Sequence, residues 1–152
     1  MNFKKLCLVV VLLVGVLVLS GCGTKNVEGK LEDLMSKVYE NIKEDELPMM
    51  LGNIEVTEEN VEYYLGTSDI EFEEALASES MTGSIAHSVV LVRVKDNANI
   101  EEVKTKIKDS VNPRKWICVG VEEVVVENRG NLIILIMNDA IKDKLTEGFN
   151  NL

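Results

Sequence analysis

The chain has 152 residues, a formal net charge of −10 and an apolar content of 46%. The length is typical of one domain, and the apolar content excludes an intrinsically disordered chain, a collagen and a coiled coil. Twenty-six acidic residues against sixteen basic ones argue against nucleic acid as a partner, because phosphates require clustered lysine and arginine. We therefore expect one globular domain that does not bind nucleic acid.

The first 21 residues have the three-part pattern of an export signal. Lys4 and Lys5 form a basic start, and a 14-residue apolar run from Leu6 to Leu19 follows, interrupted by one glycine. The run is shorter than the roughly 20 residues that a membrane-spanning helix needs. We predict that residues 1–21 are a signal peptide.

The segment Leu19-Ser20-Gly21-Cys22 resembles the lipobox of bacterial lipoproteins. The small Ser20 and Gly21 let a peptidase approach the bond before Cys22, whose thiol can accept a diacylglyceryl group as a thioether. Two acyl chains, such as palmitate, suffice for a stable anchor. We predict that Cys22 is lipidated, that residues 22–29 are the lipidated cysteine and tether, and that the protein lies on the extracytoplasmic face of the cell membrane.

The cysteine content agrees with an exported lipoprotein. Cys7 leaves with the signal peptide and Cys22 carries lipid, so Cys118 remains alone and no internal disulfide can form. The apolar neighbours Ile117 and Val119 predict that Cys118 is buried and its thiol unreactive.

Residues 30–152 are predicted to form a single α+β domain that begins with two helices. Apolar residues at helical spacing predict an amphipathic helix from Leu31 to Ile42. A short helix is expected after Thr57, which is a plausible N-cap, with Gly66 as its stop.

A ββαββα order is predicted for the rest of the domain. The four predicted strands span residues 70–76, 85–95, 118–127 and 132–137. Asn99 and Asn138 are expected to cap the two helices. We predict a four-stranded antiparallel sheet in the order 1-2-4-3, with helices on one face. Its first strand would lie at the edge, where charged residues discourage edge pairing; these are Glu71, Glu73 and Glu74.

The excess of acidic residues lies in the first half of the mature chain. Residues 23–80 contain 16 acidic and four basic residues, whereas residues 81–152 contain ten of each. Solvated helix faces and edge protection explain this distribution. The functional alternatives are an acidic surface for a cationic partner and repulsion from an anionic membrane.

No pattern specifies a catalytic, cofactor or metal site. His87 is the only histidine, and we interpret it as a packed or surface strand residue, because a zinc site needs three or four ligands. Glu122 and Glu123 are adjacent on a predicted strand, so they would point to opposite faces. We therefore expect no catalytic residue, no cofactor and no metal.

The pair Met49-Met50 and the single tryptophan each allow two interpretations. Met49 and Met50 suggest a copper site at first sight, but methionine more often fills gaps in cores. Trp116 follows Arg114 and Lys115; it is either an exposed contact residue or a cover of the core.

Several segments together resemble a family of small lipoproteins of Gram-positive, clostridia-like bacteria that is classed as a domain of unknown function. They include residues 47–50, 63–66, 92–96, 124–126 and 130–135, and the resemblance covers about residues 35–150. It implies a membrane-anchored extracytoplasmic domain without a known activity. The pair Asn112-Pro113 departs from the family pattern, because it shortens the central helix.

The function expected from these features is a non-catalytic binding or interaction module, held at the membrane through Cys22, with a protein as a possible partner. One alternative is a small-ligand carrier or sensor, with the ligand between the helices and a bare sheet face. The other is an enzyme of unfamiliar type that uses His87, Cys118 or a carboxylate.

Overall fold

A computed structural model describes residues 25–152. The predicted signal peptide and Cys22 lie outside the described residues. Between residues 25 and 152, no helix is both long enough and apolar enough to cross a membrane.

This part of the chain folds into four α-helices, one short 3₁₀ helix and five strands, so the predicted α+β class is confirmed. The helices are α1 (Leu31–Tyr39), α2 (Val61–Leu65), α3 (Ile100–Ser110) and α4 (Lys142–Asn150), and the 3₁₀ helix spans Glu44–Glu46. The strands are β1 (Leu51–Glu55), β2 (Glu74–Ser80), β3 (Ser88–Arg93), β4 (Val125–Arg129) and β5 (Leu132–Met137).

The five strands form one antiparallel sheet in the order β1-β2-β3-β5-β4. The prediction of four strands is therefore wrong, although strands β2 to β5 have the relative order expected for the four. Strand β1 was missed because it is short, contains Gly52 and does not alternate regularly. Strand β1 pairs with Leu76–Ser80 and so covers most of the outer side of β2; Glu71 and Glu73 lie before β2, and Glu74 lies beyond the residues that β1 pairs.

The predicted strand boundaries are only partly correct. The bounds of β5 are confirmed, and β3 lies within its predicted range. Strand β2 begins at Glu74 and β4 at Val125, both later than predicted. The segment around Cys118 is irregular instead of extended.

Helices cover both faces of the sheet, so the prediction of helices on one face is wrong. Helices α1 and α4 pack on one face, where they form a core with alternate residues of the strands. Helices α2 and α3 pack on the other face, in a second core. The physical reason lies in β3 and β5, whose apolar side chains point to both faces and therefore require two covering layers.

The predicted helix boundaries rest on local hydrogen bonds. The side chain of Asn99 accepts a bond from the backbone N–H of Glu102 at 3.3 Å and caps α3. The side chain of Asn138 accepts bonds from the N–H groups of Ala140 and Ile141 ahead of α4. Gly66 ends α2 with a φ of 79°. The cap at Asn99 and the stop at Gly66 are confirmed, whereas Asn138 holds the turn before α4, whose N-cap is Ile141.

The two ends of the sheet differ in what they contact. At one end Arg93 donates hydrogen bonds to the carbonyls of Val27 and Gly29, and Gly130 lies against the backbone of Lys25. We call this the tether end. The opposite end, where β2 finishes and β3 begins, is about 17 Å away along β3; we call it the cleft end.

Candidate functional site

A buried ion pair lies at the cleft end. The Nζ atom of Lys115 is 2.5 Å from Oε1 of Glu79, and the two side chains are only 3% and 6% exposed. Glu79 on β2 pairs directly with Ser88 on β3, so both side chains point to the α2–α3 face. Lys115 reaches them from the loop after α3 and also donates to Oγ of Ser88 at 3.2 Å. The charges compensate each other, as a buried pair requires.

Three aromatic rings enclose the lysine of this pair. The distances from Nζ of Lys115 to the ring centroids of Tyr63, Tyr64 and Trp116 are 4.5, 4.9 and 5.4 Å. Each ring face attracts the ammonium group. The rings of Tyr63 and Tyr64 also meet edge to face, with centroids 5.0 Å apart. The three rings therefore stabilise the charged form of Lys115, and Lys115 in turn holds the rings around the ion pair.

Burial shifts the titration of these groups. It lowers the pKa of Lys115, while the attraction of Glu79 opposes that change. Burial and the charge of Glu79 raise the pKa values of Tyr63 and Tyr64. Both tyrosines therefore stay neutral near pH 7 and present phenol groups.

A cavity of about 210 Å³ adjoins the ion pair. We call it the distal cleft. Its lining residues are Ile54, Tyr63, Tyr64, Glu79, Ser80, Met81, Gly83 and Trp116. Trp116 is buried, which favours the core-cover interpretation over an exposed contact. Its Nε1 atom has no hydrogen-bond partner within residues 25–152.

Large exposed apolar side chains surround the distal cleft. Five such residues, each 53–71% exposed, occur in the described part of the chain. We call them the apolar rim: Met49, Met50, Tyr63, Met81 and Ile117. Tyr63 and Met81 line the cleft itself.

The other three residues of the apolar rim are hydrogen-bonded to the cleft margin through their backbones. The carbonyl of Met49 accepts from Ser80, that of Met50 accepts from the N–H of Met81, and the N–H of Ile117 donates to Gly83. These bonds place Met49, Met50 and Ile117 at the margin of the distal cleft. The expectation that Met49 and Met50 fill the core is wrong.

His87 belongs to a separate buried network on the α1–α4 face. Its Nε2 atom is 2.8 Å from the Tyr39 hydroxyl, and its Nδ1 atom is 3.0 Å from Nδ2 of Asn138. Because Oδ1 of Asn138 accepts from the N–H groups of Ala140 and Ile141, its amide nitrogen faces His87 and donates to Nδ1. Burial and the nearby charge of Lys115 lower the pKa of His87 to about 4. The histidine is therefore neutral near pH 7, with its proton on Nε2.

The candidate catalytic residues are not arranged as a reactive group. Both ring nitrogens of His87 are engaged by Tyr39 and Asn138, which leaves neither for Cys118. Cys118 is exposed with a φ of 61°, so the prediction of a buried thiol is wrong. Its left-handed backbone in an irregular loop interrupts the alternation on which that prediction depended.

Glu122 and Glu123 lie in an irregular segment beside Asp139. The backbone N–H groups of Glu122 and Glu123 donate to the carboxylate of Asp139, outside any strand. Among residues 25–152 there is no group of three or more histidine, cysteine or carboxylate side chains that could hold a metal ion.

A second, larger cleft of about 660 Å³ lies toward the tether end. We call it the acidic cleft. Four carboxylates and one lysine line it above an apolar floor. The charged residues are Glu55, Glu58, Glu71, Glu73 and Lys95, and the floor includes Val56, Val61, Ile70 and Phe72.

The ion pair at the centre of the site was not predicted from the sequence. Glu79 and Lys115 are 36 positions apart, and each looks like an ordinary surface charge in its local segment. One feature of the sequence pointed to burial of Glu79: it follows Ala75 and Ala77 at alternate positions, so its side chain lies on the same face of β2 as these two buried residues.

Comparison of the chain with protein-family models, with curated proteins and with solved structures found no match.

Proposed function

We propose that this protein is a lipid-anchored, non-catalytic binding module on the extracytoplasmic face of the cell membrane, and that the distal cleft with its apolar rim is its binding site. The observation that carries the proposal is the position of that rim. Its five residues gather at one end of the sheet, around a cleft with buried charges and aromatic walls. Exposed apolar side chains gathered at one end of a domain mark interaction sites.

The position of the chain's N-terminal part supports the same proposal. Lys25 lies beside Gly130 at the tether end, and Cys22 is three residues earlier, within about 11 Å along the chain. A lipid on Cys22 would therefore hold the tether end toward the bilayer. The distal cleft would then face away from the membrane, where a partner can approach it.

Mass spectrometry of the native protein tests the anchor. The expected product begins at Cys22 and carries the mass of a diacylglyceryl group, with or without a further acyl chain. A Cys22→Ser variant should lack this mass and leave the membrane fraction. A native chain with an unmodified Cys22 would contradict the anchoring.

Photo-crosslinking in intact cells tests the binding site. A photoreactive amino acid at Met81, in the apolar rim, should give a discrete adduct. The same amino acid at Glu147, an exposed position on α4, serves as the control and should not. Equal labelling from both positions, or adducts of Met81 with lipid alone, would contradict the proposed site.

A further inference from the structure

Strand β1 presents an outer edge beside the distal cleft. The backbone of Met50 bonds to Met81, and that of Val56 bonds to Ala75, both at 2.9 Å. In an antiparallel ladder the N–H and C=O groups of successive residues point alternately toward and away from the partner strand. Because Met50 and Val56 point toward β2, the backbone groups of Leu51 and Asn53 point away from it. Because β1 is the first strand of the sheet, those groups are available to another extended chain.

The cleft end of this edge accepts an apolar side chain. Gly52 pairs with Glu79 and carries no side chain on the cleft face. The side chain of Met81 covers Gly52, with its sulfur 3.3 Å from the position that a Cβ atom would take. Methionine repacks easily around a partner. A cavity of about 210 Å³ is smaller than the roughly 300–1,000 Å³ of pockets for drug-sized ligands, and it suits one large side chain.

The other end of the edge is strongly acidic. Glu55 ends β1 and lines the acidic cleft together with Glu58. Residues 41–80, which include β1, α2 and β2, contain twelve acidic residues and one basic residue, Lys43. Five of these carboxylates pair with lysine or arginine from other segments, whereas Glu55 and Glu58 form no salt bridge within residues 25–152. A partner with basic side chains near Glu55 is favoured, whereas an acidic segment, an anionic bilayer or a second copy of this surface is repelled.

From this arrangement we infer that β1 binds an extended basic polypeptide segment as a sixth strand, with an apolar side chain in the distal cleft and basic side chains at the acidic cleft. Leu51 and Glu55 are about 13 Å apart in an extended strand, so the apolar and basic positions of the partner are separated by about four residues. The inference rests on the proposed function, because it names the class of partner for the same site.

Peptide binding to the native protein in detergent micelles tests the inference. The probe is a short end-blocked peptide labelled with a fluorophore, with one phenylalanine and lysines about four residues from it. Its controls replace the lysines by glutamate or the phenylalanine by serine. We expect each replacement to weaken binding at least about tenfold, and binding to weaken as NaCl rises from about 50 to 500 mM. Equal binding of all three peptides would overturn the inference.

Variants locate the bound strand. Asn53→Pro removes an outward N–H without breaking the β1–β2 ladder, and Glu55→Gln with Glu58→Gln removes two charges. Each should weaken binding at least about tenfold. The matched control, Asp143→Asn with Glu147→Gln on α4, should bind like the wild type. Urea unfolding monitored by Trp116 fluorescence shows whether each variant is folded. Unchanged binding in a folded Asn53→Pro protein would overturn the inference.

The outcomes separate this inference from the proposed function. Adducts at Met81 in cells, together with no binding of the basic peptide, would retain the binding site and reject the sixth strand. With the photoreactive amino acid at Asn53 in place of Met81, a crosslink to lipid or to a second copy of the chain would also reject the sixth strand.

Discussion

The Nε2 atom of His87 lies 2.8 Å from the hydroxyl oxygen of Tyr39, and this contact joins the start of β3 to the last residue of α1. Asn138 holds the other ring nitrogen. The histidine thus ties three elements together only while it is neutral, because a proton on Nδ1 would oppose the amide donor of Asn138.

We predict that this protein loses stability as His87 is titrated. The pKa of His87 is about 4 in the folded chain, because of burial and the charge of Lys115, against 6.5 in an unfolded chain. The unfolded state therefore takes up the proton first. The contribution of neutral His87 to the free energy of unfolding is complete above pH 6.5. About 3 kcal/mol of it is lost as the pH falls from 6.5 to 4.

Urea unfolding across that pH range, for the wild type and for His87→Gln, measures this effect. The variant lacks the titrating group, so the difference in unfolding free energy between the two proteins should shrink between pH 7 and pH 4. A constant difference would show that His87 does not titrate in this way.

Removal of one charge of the Glu79–Lys115 pair should destabilise the fold strongly. Lys115→Met and Glu79→Gln are each expected to cost about 3–5 kcal/mol, because a buried charge or polar group loses its partner. The double variant should cost less than the sum of the two. The exposed pair Lys95–Glu71 is the control, where Lys95→Met should cost less than about 1 kcal/mol.

Gly148→Ala should destabilise the protein, although alanine normally favours a helix over glycine by about 0.5–1 kcal/mol. A Cβ atom at Gly148 would lie 2.2 Å from the carbonyl oxygen of Val38, where α4 crosses α1. The two helices would have to separate, and we expect a loss of about 2 kcal/mol or more. Glu147→Ala, at the next and exposed position, should be nearly neutral. A more stable Gly148→Ala protein would contradict the close approach.

Thiol titration of the folded, native lipoprotein should detect a single reactive group. Cys118 is exposed, and a thioether at Cys22 does not react with disulfide reagents such as Ellman's reagent. Cys118→Ser should abolish the reaction. Two reactive thiols would indicate that Cys22 carries no lipid, whereas none in the wild type would contradict the exposure of Cys118.

Local patterns in the sequence predicted the elements whose formation depends on neighbouring residues. The apolar run of β5, the stop at Gly66 and the cap Asn99 were predicted correctly. Each of these depends on side chains or backbone angles within a few positions along the chain. The prediction for Cys118 failed because one left-handed residue ended the alternation.

The sequence by itself determined the α+β class, the cap at Asn99 that begins α3 and the expectation of an exported, lipid-anchored chain. Only the tertiary structure decided that β1 joins the sheet, that helices cover both faces, and that Glu79 meets Lys115 among three aromatic rings. Those features depend on contacts between residues tens of positions apart, whose free energy comes from shared burial and strand pairing, so no local segment carries their pattern.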